Sequence, residues 1–189
     1  MAQKRKDWNG LISGFKASDL VFLDESGCNT DMTRRYAYSL GGSRAVDSAP
    51  LSKPKNTTIL PSIQLDGTLR YTTFSGGTTV ERFKRYLETD LLPHLNGNSV
   101  LIMDNMKSHH AKAVRNLLDS SEIRYIYLPP YSPDLNPIEK LWSKVKSFLR
   151  KFKARTLDAL PNAIQCAFQI VSPSDCSGWL HSCGYSPYF

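Results

Sequence analysis

The chain has 189 residues, enough for one domain with a hydrophobic core, and its apolar and charged fractions, 41% and 22%, are ordinary for a globular protein. No apolar run approaches the roughly 20 residues that span a bilayer, which argues against a membrane-spanning helix, and we expect no membrane partner. The basic N-terminus has no apolar stretch after it, so we expect no signal peptide and an intracellular, cytoplasmic protein. The four cysteines are widely spaced and form no CxxC pair, which favours reduced packing residues over a zinc site.

Two similar stretches, "LVFLDES" at 20–26 and "VLIMDNM" at 100–106, each contain four apolar residues followed by an aspartate, Asp24 or Asp104. Such runs are typical of strands buried on both faces, so both are predicted to be central in a sheet flanked by helices. An aspartate after a strand commonly caps a turn. Two of them at the carboxyl ends of central strands also lie where open α/β sheets bind ligands.

The other predicted elements follow the usual signals of turn, strand and helix. Pro61 cannot donate a ladder hydrogen bond, so its strand is predicted to lie at an edge or to carry a bulge. The predicted strands are 34–42, two within 56–74 that turn at Asp66-Gly67, and 123–128. Two predicted helices have caps: 78–95 is capped by Thr78, and 108–119 by Ser108. A third helix begins at Pro137, and a fourth lies within 156–171, where Pro161 kinks it or delays its start.

The stretch "LPPYSPDLNPIEKLW" (128–142) sets four prolines ahead of an apolar, basic helix. Asn136 is a good N-cap, Pro137 suits the first helical position, and Glu139 fits a capping box. A second interpretation is that the rigid loop delivers Glu139 to Asp24 and Asp104. Clustered carboxylates repel one another unless a cation neutralises them, and such oxygen ligands select Mg²⁺ or Mn²⁺. Two such ions can support phosphoryl transfer.

Residues 140–155 contain seven Lys and Arg residues and no acid. They account for the formal net charge of +7, because the other 17 Lys and Arg residues balance the 17 Asp and Glu residues. A basic helix face is often only solvated, but a stripe of one sign is also what contacts with DNA phosphates require. The candidate DNA-binding residues are Lys140, Lys144, Lys146, Arg150, Lys151, Lys153 and Arg155.

The stretches "FLDESG", "LIMDNMKSHH" and "LPPYSPDLNPIEKLWSKVK" strongly resemble the catalytic domain of DDE transposases of the Tc/mariner superfamily, in particular its bacterial insertion-sequence branch, the six-thirty family. That branch has the 34 residues that lie here between Asp104 and Glu139. The resemblance implies an α/β RNase H-like fold, with a mixed five-stranded sheet flanked by helices. Its first three strands would be antiparallel, its first and fourth central, and its third at an edge.

The resemblance also implies a mechanism: hydrolysis of a phosphodiester at the transposon end, then attack of the freed 3′-hydroxyl on target DNA, usually at TA. Asp24 would bridge two Mg²⁺ or Mn²⁺ ions, with Asp104 completing one site and Glu139 the other. No covalent enzyme intermediate is expected. Candidates for orienting ligands or substrate are Asn105, Asn136 and His109, the last of which fits the DN-x-x-x-H pattern, and a structural role for these residues stays open.

We expect residues 1–189 to form a single catalytic domain with a core at about 20–171. We expect the N-terminal helix-turn-helix module that relatives use to recognise DNA ends to be absent from residues 1–189. That module could be trimmed, lost or supplied by frameshifting between two reading frames. A homodimer is expected, because two element ends must be joined.

Two other functions compete with the enzyme. The chain could be a non-catalytic or regulatory DNA-binding partner of a full-length transposase, which would need the basic helix but not the acids. It could also be a resolvase or RNase H relative, which would share the metals but not the segment "YSPDLNPIE".

Overall fold

A computed structural model describes residues 2–34, 36–48 and 54–185. In this part of the chain, six strands and six α-helices form a mixed α/β architecture, as expected. The strands are β1 (Leu20–Leu23), β2 (Ser26–Asn29), β3 (Asn56–Ile63), β4 (Leu69–Ser75), β5 (Val100–Met103) and β6 (Arg124–Tyr127). The helices are α1 (Ala2–Ile12), α2 (Val80–Tyr86), α3 (Lys112–Ser120), α4 (Ile138–Phe152), α5 (Ala159–Gln169) and α6 (Pro173–Ser182). None of these helices is both long and apolar enough to cross a membrane.

The six strands form one mixed sheet in five positions. β3 pairs antiparallel with β4 on one side and with both β1 and β2 on the other, while β1, β5 and β6 run parallel to one another. β1 and β5 are therefore interior strands, which confirms the prediction from their apolar runs. β4 and β6 form the two edges.

Pro61 does not lie at an edge, so that prediction is wrong. It lies in β3, an interior strand, and the register of β1 and β2 against β3 continues without an inserted residue from Leu23↔Ser62 to Ser26↔Ile59. The Pro61 carbonyl accepts a hydrogen bond from the Asp24 backbone N–H at 3.4 Å. Because Pro61 has no N–H to return that bond, the ladder is interrupted at Asp24, between β1 and β2.

Helices cover both faces of the sheet, and the alternation of side chains along the strands decides which residue meets which layer. Leu20 and Phe22 of β1 pack with α4, α5 and α6, whereas Val21 and Leu23 pack with α2 and α3. Helix α4 is predicted correctly, because its apolar residues recur at helical spacing and bury one stripe: Ile138, Leu141, Trp142, Val145 and Leu149.

Other local predictions are wrong. Within 34–42, the described residues form no strand; they are exposed and include a short 3₁₀ turn at Leu40–Gly42. Thr79 rather than Thr78 caps α2, accepting from the Arg82 backbone N–H. Helix α3 begins at Lys112, four residues after Ser108. The C-terminal helix α6 and the N-terminal helix α1 are elements that the sequence patterns did not predict.

Candidate active site

The parallel pairing of β1 with β5 brings Asp24 and Asp104 together. Leu23 and Met103 are direct partners in this ladder, so the two aspartates are the next residues of neighbouring strands. Neighbouring strands lie about 4.8 Å apart. By the alternation of the strands, both aspartates continue the face that packs against α4, whereas the adjacent Glu25 continues the opposite face.

Asp24 is a buried carboxyl group, 8% exposed. Burial raises its pKa to about 7, an effect that the backbone N–H of Glu25 opposes and the negative charges of Asp104 and Glu139 reinforce. Asn136 donates a hydrogen bond from Nδ2 to Asp24 Oδ2 at 3.0 Å, and its Oδ1 accepts from the Ile138 backbone N–H at 3.3 Å. The Asn136 side chain thus joins the start of α4 to the end of β1.

Asp104 is more open, with 41% of its side chain exposed, and its partner is a histidine. His109 Nδ1 lies 2.8 Å from Asp104 Oδ1, and the buried imidazole stacks on Phe83. Burial disfavours the carboxylate, but the hydrogen bond and charge of His109, with the Met106 backbone N–H, outweigh it and lower the pKa of Asp104. His109 therefore holds Asp104 from the side opposite α4.

Glu139 lies in the first turn of α4 and is exposed. Its backbone N–H donates to the Asn136 carbonyl at 3.1 Å. The Asn136 side chain itself is hydrogen-bonded to Asp24 and to the Ile138 N–H. The predicted cap is only partly right: the Asn136 side chain accepts from the Ile138 N–H, but Pro137 takes the cap position of α4, and Glu139 forms no capping box with Asn136 in the described structure. Glu139 lines a cavity of about 430 Å³ together with Asp24, Asp104 and the proline-rich loop.

The proline-rich loop, residues 128–137, is held by contacts from distant parts of the chain. Asn105 donates from Nδ2 to the Leu128 carbonyl, and Arg5 of α1 forms an ion pair with Asp134. The Tyr185 hydroxyl donates to the Leu135 carbonyl at 2.7 Å. Sequence reasoning missed Arg5 and Tyr185, because no local pattern relates the chain ends to this loop.

The acids of this cavity form a suitable donor set for a divalent cation. Hard carboxylate oxygens suit Mg²⁺ and Mn²⁺. Burial is the main cause of the raised pKa of Asp24, and a cation would offset both this burial and the added repulsion from Asp104 and Glu139. Among the described residues, no three His, Cys, Asp or Glu side chains are already gathered as a metal cluster. Asp24, Asp104 and Glu139 are the residues that could hold such ions.

The seven basic residues predicted to contact DNA divide by their surroundings. Three are engaged within the chain: Lys144 pairs with Asp175 at 2.5 Å, Lys153 pairs with Asp47, and Arg155 donates to the carbonyls of Thr30 and Met32. Lys146 lies over the ring of Trp142. Lys140 and Lys151 lie on the face of α4 towards α6, and Lys146 and Arg150 on the face towards β2.

A family model described as "DDE superfamily endonuclease" matches residues 19–161, which include all three acids. The chain belongs to this family. Among curated proteins, it is similar to the Tc1 transposase of Caenorhabditis elegans, with 28% identity over 97 residues that cover 49% of this chain and 36% of the relative.

Solved structures of Mos1 transposase share the fold of this DDE endonuclease domain, which is RNase H-like. A paired-end complex with the left transposon end has a TM-score of 0.80 at 19% identity, covering 95% of this chain and 57% of that one. The isolated Mos1 catalytic domain has a TM-score of 0.71 at 17% identity, covering 99% and 94%. The chain thus spans little more than half of the Mos1 protein in the complex, and almost all of its catalytic domain.

Proposed function

We propose that this chain is the catalytic domain of a DNA transposase of the bacterial six-thirty branch, which cleaves the ends of its element and joins them to target DNA. The observation that carries this proposal is the convergence of Asp24, Asp104 and Glu139 on one cavity in a DDE endonuclease domain. The spacing of 34 residues between the last two acids supports the branch. Mos1 complexes with a transposon end support DNA as the substrate.

Asp24 would contact two divalent ions, Asp104 one of them and Glu139 the other. Mos1 structures have been solved with Mn and with Mg, which supports these metals here. When bound, Mg²⁺ or Mn²⁺ supplies charge stabilisation at phosphate oxygens and a lower pKa for the attacking hydroxyl group.

The chain's own contribution is to hold the three carboxylates in place. Asn136 directs an N–H at Asp24 and fixes its own amide through the Ile138 N–H. His109 directs Nδ1 at Asp104. Asn105 fixes the beginning of the proline-rich loop at Leu128. We propose that these three residues position the acids, because partners of metal ligands hold the ligands' orientation.

The basic residues of α4 would contact the phosphates of duplex DNA beside the acids. We propose TA as the target and a homodimer as the active form, because two ends must be joined. Recognition of the ends would require a helix-turn-helix region, either separate or joined by frameshifting. The Tc1 and Mos1 chains in these comparisons are longer than this one, and the present chain covers 36% and 57% of them.

Nicking of supercoiled DNA with Mg²⁺ or Mn²⁺ tests the proposal. We expect Asp24→Asn, Asp104→Asn and Glu139→Gln each to remove nicking and to weaken metal binding measured by calorimetry. Glu25→Gln is the matched control, because Glu25 is adjacent to Asp24 but continues the other face of the sheet. If Glu139→Gln bound metal and nicked as well as the wild type, Glu139 would be only part of a helix start. A regulatory DNA-binding role would then be favoured.

A further inference from the structure

A second, larger groove lies beside the candidate active site. Its walls are β2, residues 31–34 and 36–38, and the side of α4 that carries Lys146 and Arg150. The groove encloses about 1180 Å³, more than the roughly 300–1,000 Å³ typical of small-molecule sites. Its size and open shape suit a segment of a polymer.

The charged residues of this groove favour an anionic polymer. Its described lining contains three basic side chains, Arg34, Lys146 and Arg150, against one acid, Asp31. Within the described residues, none of the three basic groups forms an ion pair, whereas Lys144 and Lys153 on the same helix region are paired. Unpaired Lys and Arg side chains are available for phosphate contacts.

Two tyrosines add a second feature to the same wall. Tyr36 and Tyr38 are 91% and 106% exposed, and both line the groove near Arg34. Scattered exposed aromatics are normal, but aromatic side chains interleaved with basic ones provide stacking surfaces for bases. A base can stack on a side chain only where it is not stacked in a duplex. The tyrosines therefore favour unpaired nucleotides.

The groove begins close to the three acids along two elements. Gly27 is three residues after Asp24 in an extended chain, and Lys146 is seven residues after Glu139 in a helix; each spacing corresponds to about 10 Å. The two walls are neighbours, because Cys28 of β2 and Lys146 of α4 line the same groove. A distance of about 10 Å corresponds to about three nucleotides of a strand that is still stacked as in a duplex, at 3.4 Å each.

We propose that this groove binds unpaired nucleotides of a DNA strand, about three nucleotides from the phosphodiester at the acids. Lys146, Arg150 and Arg34 contact its phosphates, and Tyr36 and Tyr38 stack on its bases. This inference rests on the proposed function, because it takes the acids as the place of cleavage. It adds a single-strand subsite distinct from the α6-facing side of the same helix.

The test measures DNA binding in the presence of a chelator, so that it does not depend on cleavage. Fluorescence anisotropy compares a blunt duplex, the same duplex with a short single-stranded tail, and the tail alone at several salt concentrations. We expect the wild-type chain of residues 1–189 to prefer the tailed duplex. If the wild-type chain preferred the tailed duplex but did not nick DNA with metal, the proposed function alone would be contradicted. If it nicked DNA but showed no preference for the tail, the groove proposal alone would be contradicted.

Two double variants, one on the side of α4 towards β2 and one on the side towards α6, remove equal charge. Lys146→Ala with Arg150→Ala should abolish the tail preference and reduce the slope of log affinity against log salt by about 1.4 for the tail, about 0.7 per phosphate contact. Lys140→Ala with Lys151→Ala should weaken duplex binding and keep the tail preference. Equal effects of the two variants on the tail would overturn the proposal.

Removing the aromatic rings of Tyr36 and Tyr38 tests stacking without changing the charge of the groove. Tyr36→Ala with Tyr38→Ala should weaken tail binding about fivefold or more without changing the salt slope, and the Phe pair should restore binding. If the Ala pair instead left tail binding intact and shifted the chain from dimer to monomer in sedimentation, the groove would be a contact between copies of this chain. The proposal would then be wrong.

Discussion

The ends of β1 and β5 are neighbours in the sheet, yet the two aspartates that follow them behave oppositely. Burial raises the pKa of Asp24 to about 7, and the charges of Asp104 and Glu139 add to this effect. The pKa of Asp104 is lowered, because His109 and the Met106 N–H outweigh its partial burial. Strand register brings two carboxylates together, and their local partners decide which of them keeps its charge.

The largest expected effect on this pair is on activity. Asp24→Asn and Asp104→Asn should each reduce nicking by more than about 100-fold, the upper range for residues that only support metal ligands. Their effects on stability should differ. At pH 8 without metal, Asp24→Asn should melt at or above the wild-type temperature, because a buried charge is removed, and Asp104→Asn below it, because His109 loses a charged acceptor. A lower melting temperature for Asp24→Asn would contradict the difference between the two sites.

The pH dependence of stability tests the buried acid directly. The pKa of Asp24 is about 7 in the fold against an ordinary value of 3.8, so the folded chain binds the extra proton between these values. The associated stability is complete below about pH 4 and is lost as pH rises through about 7, by about 4 kcal/mol at 1.36 kcal/mol per pKa unit. Urea unfolding of metal-free protein should show this decline.

Two comparisons isolate Asp24 in that measurement. Asp24→Asn should flatten the dependence between pH 4 and 7, and added Mg²⁺ should stabilise the wild type more at pH 8 than at pH 5. A decline of the same size in Asp24→Asn would assign it to other groups.

The partners of the two aspartates should have intermediate effects. Asn136→Ala and His109→Ala should each weaken divalent-metal binding by about 10- to 100-fold, because each frees one carboxylate to rotate. His109→Ala should also move metal binding to higher pH, since Asp104 loses the interaction that lowers its pKa. Calorimetric titration at pH 6 and pH 8 measures both effects. An identical pH profile in the two variants would show that His109 has no separate effect on Asp104.

The smallest effect is expected from Tyr185, which contacts the proline-rich loop rather than either aspartate. Tyr185→Phe removes the hydroxyl that donates to the Leu135 carbonyl, and a hydrogen bond of this kind contributes about 1 kcal/mol. Tyr125→Phe is the matched control, because its hydroxyl bonds to the exposed Asp119 and not to the proline-rich loop. The first variant should lower stability more and weaken metal binding slightly, by calorimetry. Equal effects of both variants would remove Tyr185 from the support of the loop.

Local patterns were sufficient where a single element carries its own signal. The apolar runs of β1 and β5 and the apolar stripe of α4 all predicted elements that the structure contains. The strand predicted at 34–42 failed, because alternating side chains do not make a strand without a partner strand to pair with. The prediction of an edge strand at Pro61 was also wrong. Pro61 is tolerated in an interior strand because its missing N–H faces the Asp24 carbonyl, at the interruption between β1 and β2.

The sequence by itself determined the three acids, their place after buried strands or at a helix start, and the basic character of α4, since these depend on residues near in the chain. The local DN-x-x-x-H pattern already marked His109 as a candidate, and the structure gave it Asp104 as its partner. Only the tertiary structure decided that Asn136 reaches Asp24 and that Tyr185 supports the loop before Glu139. Asn136 and Tyr185 join residues separated by 112 and 50 positions. Such contacts depend on strand register and on helix packing, which no local pattern of side chains encodes.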